Sequence, residues 1–184
     1  SSPMVGATTD ELQSVYAAGG DQAALIAGLY LMPFAGIMFL WFIAVIRDQI
    51  GDAEDRFFAT VFLGSGLIFV SVLFVATAIA TAPIVGVRYL DQQTPSGREV
   101  DTAQALTYTL MFGYGTRAAA VFLLTMSTLG VRSRAFPLWL ARAGYVVAFV
   151  LLLVVAFFDW IILVFPVWVA LVSLFVMRRE KARR

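Results

Sequence analysis

The feature that most constrains this chain is a series of apolar stretches, each long enough to cross a membrane as a helix. The hydrocarbon core of a bilayer takes about 20 helical residues to span. Apolar runs of at least that length lie at about 23–46, 57–85 and 103–131, and a longer one extends from Pro137 to Met177. The longest run is roughly twice the length of one span. It therefore predicts a hairpin of two helices that turns at 157–160.

The predicted fold is an all-α, polytopic transmembrane helix bundle that forms a single domain over residues 1–184. Composition supports this fold, because 61% of the residues are hydrophobic and only 14% are charged, whereas soluble domains are roughly 45–50% apolar. The segment 9–18 is expected to form a short exterior helix, since Thr8 and Glu11 have capping-box spacing. The five expected spans are about 23–46, 57–85, 103–131, 137–158 and 160–177, with Asp159 in the turn before the last one.

The basic residues are distributed unequally between the two ends of these spans. One side of the bundle receives only Arg88 and Arg98. The other side receives Arg47, Arg56, Arg132, Arg134, Arg142 and the tail RREKARR. Because basic residues are retained on the cytoplasmic side, the C-terminus is predicted to be cytoplasmic and the N-terminus outside. Lys181 is the only lysine among 13 basic residues, a bias typical of GC-rich bacterial genomes, so the expected location is the bacterial inner membrane.

The residue types that are missing exclude several classes of membrane enzyme. The chain has no cysteine and no histidine, which removes ordinary haem ligation, the usual zinc sites and histidine-based catalysis. The expected spans contain no acidic residue apart from Asp159 at the turn between the last two. The chain is therefore expected not to be an enzyme and to hold no metal or cofactor, although bound lipid is compatible with it. The expected partners are membrane lipid and other membrane chains or further copies of this chain, with no nucleic acid.

A permanent cation lies near the middle of the third span, in the stretch LTYTLMFGYGTRAAAVFLLTM (106–126). Placing Arg117 there costs roughly 2.5–3.5 kcal/mol, so its side chain should face the protein interior, a cavity or a partner. Three interpretations remain open: an anion or polar-ligand site that includes Tyr114 and Thr116, a structural arginine satisfied by helix carbonyls and hydroxyls, and an ion pair with a carboxylate of another chain. A helical period of 3.6 places Thr107, Leu110, Tyr114, Arg117 and Val121 on one face.

Small residues surround Arg117 in the sequence. Gly115 and Ala119 are separated by one turn, and so are Thr116 and Ala120. Small residues at this spacing let two membrane helices approach closely. This part of the third span is therefore predicted to pack against another helix.

A cluster of acidic residues occupies the predicted cytoplasmic loop between the first two spans. Its members are Asp48, Asp52, Glu54 and Asp55. Acids at the start of a helix complement the helix dipole, which is the favoured interpretation. A docking surface for a soluble partner and a divalent-cation site with oxygen ligands are the alternatives.

The run GLYLMPFAGIMFLWFIAVIRDQIGDAEDRFFATVFLGSG, residues 28–66, resembles stretches in uncharacterised multipass membrane proteins of high-GC, actinobacterial-type bacteria. Its most distinctive part is RDQIGDAEDRFFATVFLGSG, and the resemblance implies no activity. Two functions from different classes remain: a non-catalytic accessory or scaffold subunit, and a small oligomeric channel or transporter for an anion or amphiphile with Arg117 at its midplane. A transport pathway needs a continuous polar lining, and only the third span offers polar residues for one. The accessory subunit is therefore the favoured prediction.

Overall fold

The protein is all-helical in the computed structural model, which describes residues 20–50, 56–90, 93, 95–153 and 161–183. These residues form five helices, as predicted from the apolar stretches. The helices are α1 (Gly20–Ile50), α2 (Arg56–Tyr89), α3 (Gly97–Arg132), α4 (Leu138–Leu153) and α5 (Ile161–Arg183). Helix α3 is regular over Gly97–Tyr108, has a π-helical segment over Thr109–Gly115, and is regular again over Thr116–Arg132.

Three of the five helices are long and apolar enough to cross a bilayer. They are α1, α2 and α3, counted over Ile26–Ile50, Arg56–Val87 and Gly97–Arg132. The apolar parts of α4 and α5, Leu138–Leu153 and Leu163–Arg178, are shorter within the described residues. Large apolar side chains also remain exposed on the helices, as at Phe34, Trp41 and Phe149, each more than 60% exposed. These features indicate a membrane protein, because lipid covers such side chains at no cost in free energy.

Two of the predicted elements fall on parts of the chain that are not described. The exterior helix predicted over 9–18 lies outside the described residues, and so does the turn predicted at 157–160 with Asp159. Helices α4 and α5 end at Leu153 and begin at Ile161, on either side of that turn.

Local sequence signals account for two of the helix boundaries. Ser96 and Glu99 form a capping box at the start of α3, in which each side chain bonds the other residue's backbone N–H. At the other end of α3, Arg134 adopts a left-handed conformation with φ 55°. Its backbone N–H donates to the Val131 carbonyl at 3.1 Å. This bond belongs to the pattern that commonly terminates helices, and the chain then reverses into α4.

The described residues divide into two compact units. The first contains those of Ser1–Ile37 and Ser71–Met111, and the second those of Met38–Val70 and Phe112–Arg184. In the first unit, the hydroxyl of Thr107 on α3 lies 3.5 Å from the Ala76 carbonyl of α2, within hydrogen-bond distance.

A cluster of phenylalanine rings forms the core of the second unit. Phe122 of α3 is fully buried, and its ring centroid lies 5.1 Å from that of Phe39 on α1 and 4.7 Å from that of Phe62 on α2. Phe69 and Phe165 lie 4.7 Å apart and extend the cluster to α5. Offset and edge-on ring contacts of this kind contribute roughly 0.5–1.5 kcal/mol each beyond their buried area. The cluster therefore connects four helices of the second unit around Phe122.

The end of α3 packs against α4 and α5 at a glycine. A Cβ atom placed on Gly144 of α4 would overlap the Ser127 hydroxyl of α3 and lie 2.9 Å from the Trp168 ring of α5. Ser127 Oγ and Trp168 Nε1 are buried and have no hydrogen-bond partner among the described residues. The missing side chain of Gly144 thus lets a serine and a tryptophan from two other helices approach its backbone.

The ring cluster makes Phe122 the most sensitive core position. Phe→Ala substitutions in the cores of soluble proteins cost about 3–5 kcal/mol of unfolding free energy. Part of that cost is the lost transfer of the ring from water to the core, and this part is absent when the unfolded helices remain in lipid. We expect Phe122→Ala to lower the free energy of unfolding by at least about 2 kcal/mol, measured by SDS titration in mixed micelles. Phe149→Ala is the matched control, because Phe149 is 62% exposed. Equal losses in the two variants would contradict the assignment of this core.

Candidate functional site

The candidate site lies where the π-helical segment of α3 returns to regular helix. The segment Thr109–Gly115 has the sequence TLMFGYG. Its two glycines lower the cost of departing from α-helical geometry, since they have no side chain to accommodate. Single π-helical turns are rare in proteins, and those that occur are frequently found at functional sites.

A π-helical segment changes the pairing of backbone groups at its C-terminal end. Within it each N–H bonds the carbonyl five residues earlier, and in the α-helix that follows the partner lies four residues earlier. Where the first pattern gives way to the second, the amides pass over one carbonyl. Phe112 and Gly113 lie at this end of the segment. A carbonyl without an amide donor needs another partner in apolar surroundings.

Two side chains that follow the segment donate hydrogen bonds to the carbonyls of Phe112 and Gly113. The Thr116 hydroxyl donates to the Phe112 carbonyl at 2.7 Å. Arg117 folds back along its own helix, and its Nη1 donates to the Phe112 carbonyl at 2.9 Å and to the Gly113 carbonyl at 2.7 Å. Thr116 and Arg117 therefore satisfy the carbonyls at the end of the π-helical segment.

The remaining donors of Arg117 have no partner in the described part of the chain. The two hydrogens of Nη1 are used by the two carbonyls, which leaves Nε–H and the two hydrogens of Nη2. The side chain is half-buried, and no described carboxylate forms an ion pair with it. The sequence has no Asp or Glu between Asp101 and Asp159, and Asp101 lies roughly four helical turns away. Three N–H donors of the guanidinium thus form no hydrogen bond with the described residues.

Tyr114, predicted to share a site and a helix face with Arg117, lies in the π-helical segment. Its side chain is 62% exposed, and the described residues show no hydrogen bond between the two side chains. The prediction assumed 3.6 residues per turn throughout the third span, and that assumption is wrong over Thr109–Gly115. A wider π-helical turn rotates the following residues relative to the preceding ones, so the 3.6-residue period no longer relates Thr107 to Arg117 and Val121.

The small residues near Arg117 face the protein interior. Gly115, Thr116, Ala119 and Ala120 are all buried, as the packing role predicted from their spacing requires. Arg117 is thus carried by a helix segment that is rich in small, buried residues.

Only one residue of the acidic cluster lies in the described chain. Asp48 is exposed in the last turn of α1, which continues to Ile50. Asp52, Glu54 and Asp55 lie outside the described residues, and α2 begins at Arg56 directly after them. Among the described residues, no group of three or more His, Cys, Asp or Glu side chains is placed to hold a metal ion. The dipole, docking and cation interpretations of this cluster stay predictions.

The sequence pattern identified Arg117 and Thr116 but not the π-helical segment whose Phe112 carbonyl accepts hydrogen bonds from both side chains. The pair of glycines in TLMFGYG was the available signal, and it was interpreted as a packing feature alone. The capping box at Ser96 and Glu99 was also missed, although its S-x-x-E pattern is visible in the sequence.

Comparisons with known proteins do not add to this geometry. No protein-family profile matches the chain, and no curated protein or solved structure shows significant similarity to it. The role of the site therefore has to be argued from its own contacts.

Two threonines of α3 allow the role of the hydroxyl-to-carbonyl hydrogen bond at the π-helical segment to be tested. Thr116 and Thr125 are both buried, and both hydroxyls donate to carbonyls of the preceding turn. In regular helix around Thr125 those carbonyls already accept amide bonds, whereas the Phe112 carbonyl lies at the π-to-α transition. We expect Thr116→Val to cost about 1–2 kcal/mol of unfolding free energy and Thr125→Val much less, measured by SDS titration. The reverse order would contradict this account of the π-helical segment.

Proposed function

We propose that the protein is a non-catalytic integral membrane component, an accessory or scaffold subunit that assembles with other membrane chains or with copies of itself. In this proposal it crosses the bacterial inner membrane five times, with the N-terminus outside and the C-terminus in the cytoplasm. The asymmetry of the basic residues supports the orientation. The resemblance of residues 28–66 to multipass proteins of high-GC bacteria supports the location.

The geometry of Arg117 carries the proposal. Nη1 is held by two carbonyls of its own helix, so the guanidinium has a defined position while its other donors have no partner among the described residues. A guanidinium within an apolar helix is expensive unless an anion or acceptor meets it. Because the chain has no acidic residue between Asp101 and Asp159, a carboxylate on a second chain is a suitable counterpart, and planar guanidinium groups bind carboxylates through two parallel hydrogen bonds.

A channel or transporter for an anion or amphiphile is the second candidate function. The same unshared donors of Arg117 favour it, since they would also bind an anion at the depth where transporters often hold their substrates. A pathway further requires polar residues along its length, and the sequences of the other apolar helices offer mainly Ser and Thr. In regular helix, the hydroxyls of Thr77 and Ser173 donate to carbonyls of their own helices, which leaves them less available to a permeating ion.

Native mass spectrometry of the protein, extracted gently from its own membranes, tests the first proposal. We expect other membrane chains or copies of this chain at fixed stoichiometry, and we expect Arg117→Gln to lose them. Removing one partner of a buried charge pair costs about 2–5 kcal/mol, so the association should weaken by at least about 30-fold. Arg142→Gln is the control, because Arg142 is an exposed residue of α4.

Two outcomes of this experiment would count against an assembly role. An Arg117→Gln variant that keeps its assembly but loses anion flux in reconstituted vesicles would favour the transporter. If Arg117→Gln lowers the thermal stability of the isolated chain but leaves its association with partner chains unchanged, Arg117 is a structural residue only.

The absence of cysteine makes the orientation directly testable. Single cysteines can be introduced at Gln93, between α2 and α3, and at Asp48, in the last turn of α1, both of which are exposed. We expect a membrane-impermeant maleimide to label Gln93→Cys in right-side-out vesicles and Asp48→Cys only in inverted ones, because the proposed topology puts these sites on opposite sides of the membrane. Labelling of both cysteines from the same side would rule out the proposed topology.

A further inference from the structure

A cleft in the first unit lies where two apolar helices meet a polar connection. It has a volume of about 520 Å³, within the range of about 300–1,000 Å³ typical of small-molecule sites. Its apolar walls are formed by Ile79, Ala82 and Pro83 of α2 and by Ala103 and Leu106 of α3. Its polar rim includes Arg98 and Glu99 in the first turn of α3. One end of the cleft therefore suits a hydrocarbon chain and the other a charged group.

The two rim charges have opposite sign and do not neutralise each other. Arg98 is exposed, and within the described residues its guanidinium forms no ion pair with Glu99 or any other carboxylate. Its planar set of donors matches the oxygens of a phosphate group, which guanidinium groups bind through two parallel hydrogen bonds. Arg98 thus offers a site for an anion beside the apolar walls.

The Glu99 carboxylate is held in place by the capping box. Its Oε2 accepts hydrogen bonds from the Ser96 backbone N–H at 2.7 Å and from the Ser96 hydroxyl at 3.0 Å. Its other oxygen, Oε1, has no hydrogen-bond partner among the described residues. The capping box therefore fixes one oxygen and leaves the other to accept from a cationic donor.

We propose that this cleft binds a glycerophospholipid with a zwitterionic, phosphoethanolamine-type head group. The lipid phosphate binds Arg98, the ammonium donates to Glu99, and an acyl chain lies against Ile79, Ala82 and Leu106. Arg98 and Glu99 are consecutive residues of opposite charge on the rim of the cleft, and such a head group joins an anion and a cation by a two-carbon link. A soluble zwitterion would leave the apolar walls unused, and an anionic lipid would leave the Glu99 carboxylate without its counterpart. This inference is independent of the assembly role proposed for Arg117.

Two single substitutions test the binding of the phosphate and of the ammonium separately. Arg98→Gln removes the cation that binds phosphate. Glu99→Gln removes the negative charge but keeps the capping box, since Gln at this position also bonds the N-cap backbone N–H. Arg142→Gln removes an exposed arginine from the second unit and serves as the matched control. Circular dichroism and thermal unfolding in detergent establish that each variant is folded before lipid is added.

The experiment is a lipid titration of the purified full-length chain, read by native mass spectrometry. The probes are phosphatidylethanolamine, phosphatidylglycerol and phosphatidylcholine with identical acyl chains. We expect the parent protein to prefer phosphatidylethanolamine, and Arg98→Gln to weaken its binding by about tenfold, as the loss of one charge-assisted interaction implies. We expect Glu99→Gln to bind phosphatidylglycerol as well as phosphatidylethanolamine. Phosphatidylcholine should bind more weakly than phosphatidylethanolamine, because its quaternary ammonium has no N–H to donate.

Three results would overturn the proposal. Equal binding of phosphatidylethanolamine and phosphatidylglycerol to the parent protein would show that Glu99 has no role. Unchanged binding in a folded Arg98→Gln variant would show that the phosphate is not held there. An equal loss in Arg98→Gln and Arg142→Gln would show that the lipid is bound non-specifically around the protein.

Discussion

Backbone hydrogen bonding in apolar surroundings is the constraint on which the rest of this structure depends. A helix satisfies this constraint by pairing every interior carbonyl with an amide of its own chain. The pairing changes at the C-terminal end of the π-helical segment of α3, where Phe112 and Gly113 lie. The Thr116 hydroxyl and the Arg117 guanidinium donate to the carbonyls of these two residues at distances of 2.7–2.9 Å. A charged residue that looks anomalous in the sequence thus has a definite structural reason to lie where it does.

The same contacts also prepare Arg117 to bind an anion. A guanidinium anchored by Nη1 loses little conformational freedom when its other donors meet an anion, because its position is already defined. This pre-organisation is why the structural and the binding interpretations of Arg117 are compatible with each other. The small residues on the same helix segment are buried within the second unit, so close packing holds the backbone that carries Arg117.

Packing between the helices has to rely on shape, because lipid is as apolar as the side chains it would replace. The phenylalanine cluster around Phe122 and the close approach at Gly144 both have this character. The first fills space with rings from four helices, and the second removes a side chain so that Ser127 and Trp168 can approach. Among the described residues, polar side chains bear on the proposed functions at the end of the π-helical segment and at the rim of the cleft at Arg98 and Glu99.

The sequence by itself determined the order and the approximate extent of the five helices. The length of an apolar run is a local property, and a helix is the structure that satisfies its backbone in lipid. The unusual position of Arg117 and the packing role of the small residues beside it were also evident, since charge and residue size need no tertiary information. The capping box at Ser96 and Glu99 is equally local and could have been identified from its spacing.

The tertiary structure alone decided how those helices use their residues. The change from α-helical to π-helical pairing at Thr109–Gly115 depends on small energy differences that the surroundings settle, and it alters the register between the residues before and after it. The convergence of Phe39, Phe62 and Phe165 on Phe122 joins residues far apart in the chain. The cleft that combines Pro83 and Leu106 with Arg98 arises in the same way. Such contacts between distant segments follow from the packing of whole helices, which no local pattern of residues specifies.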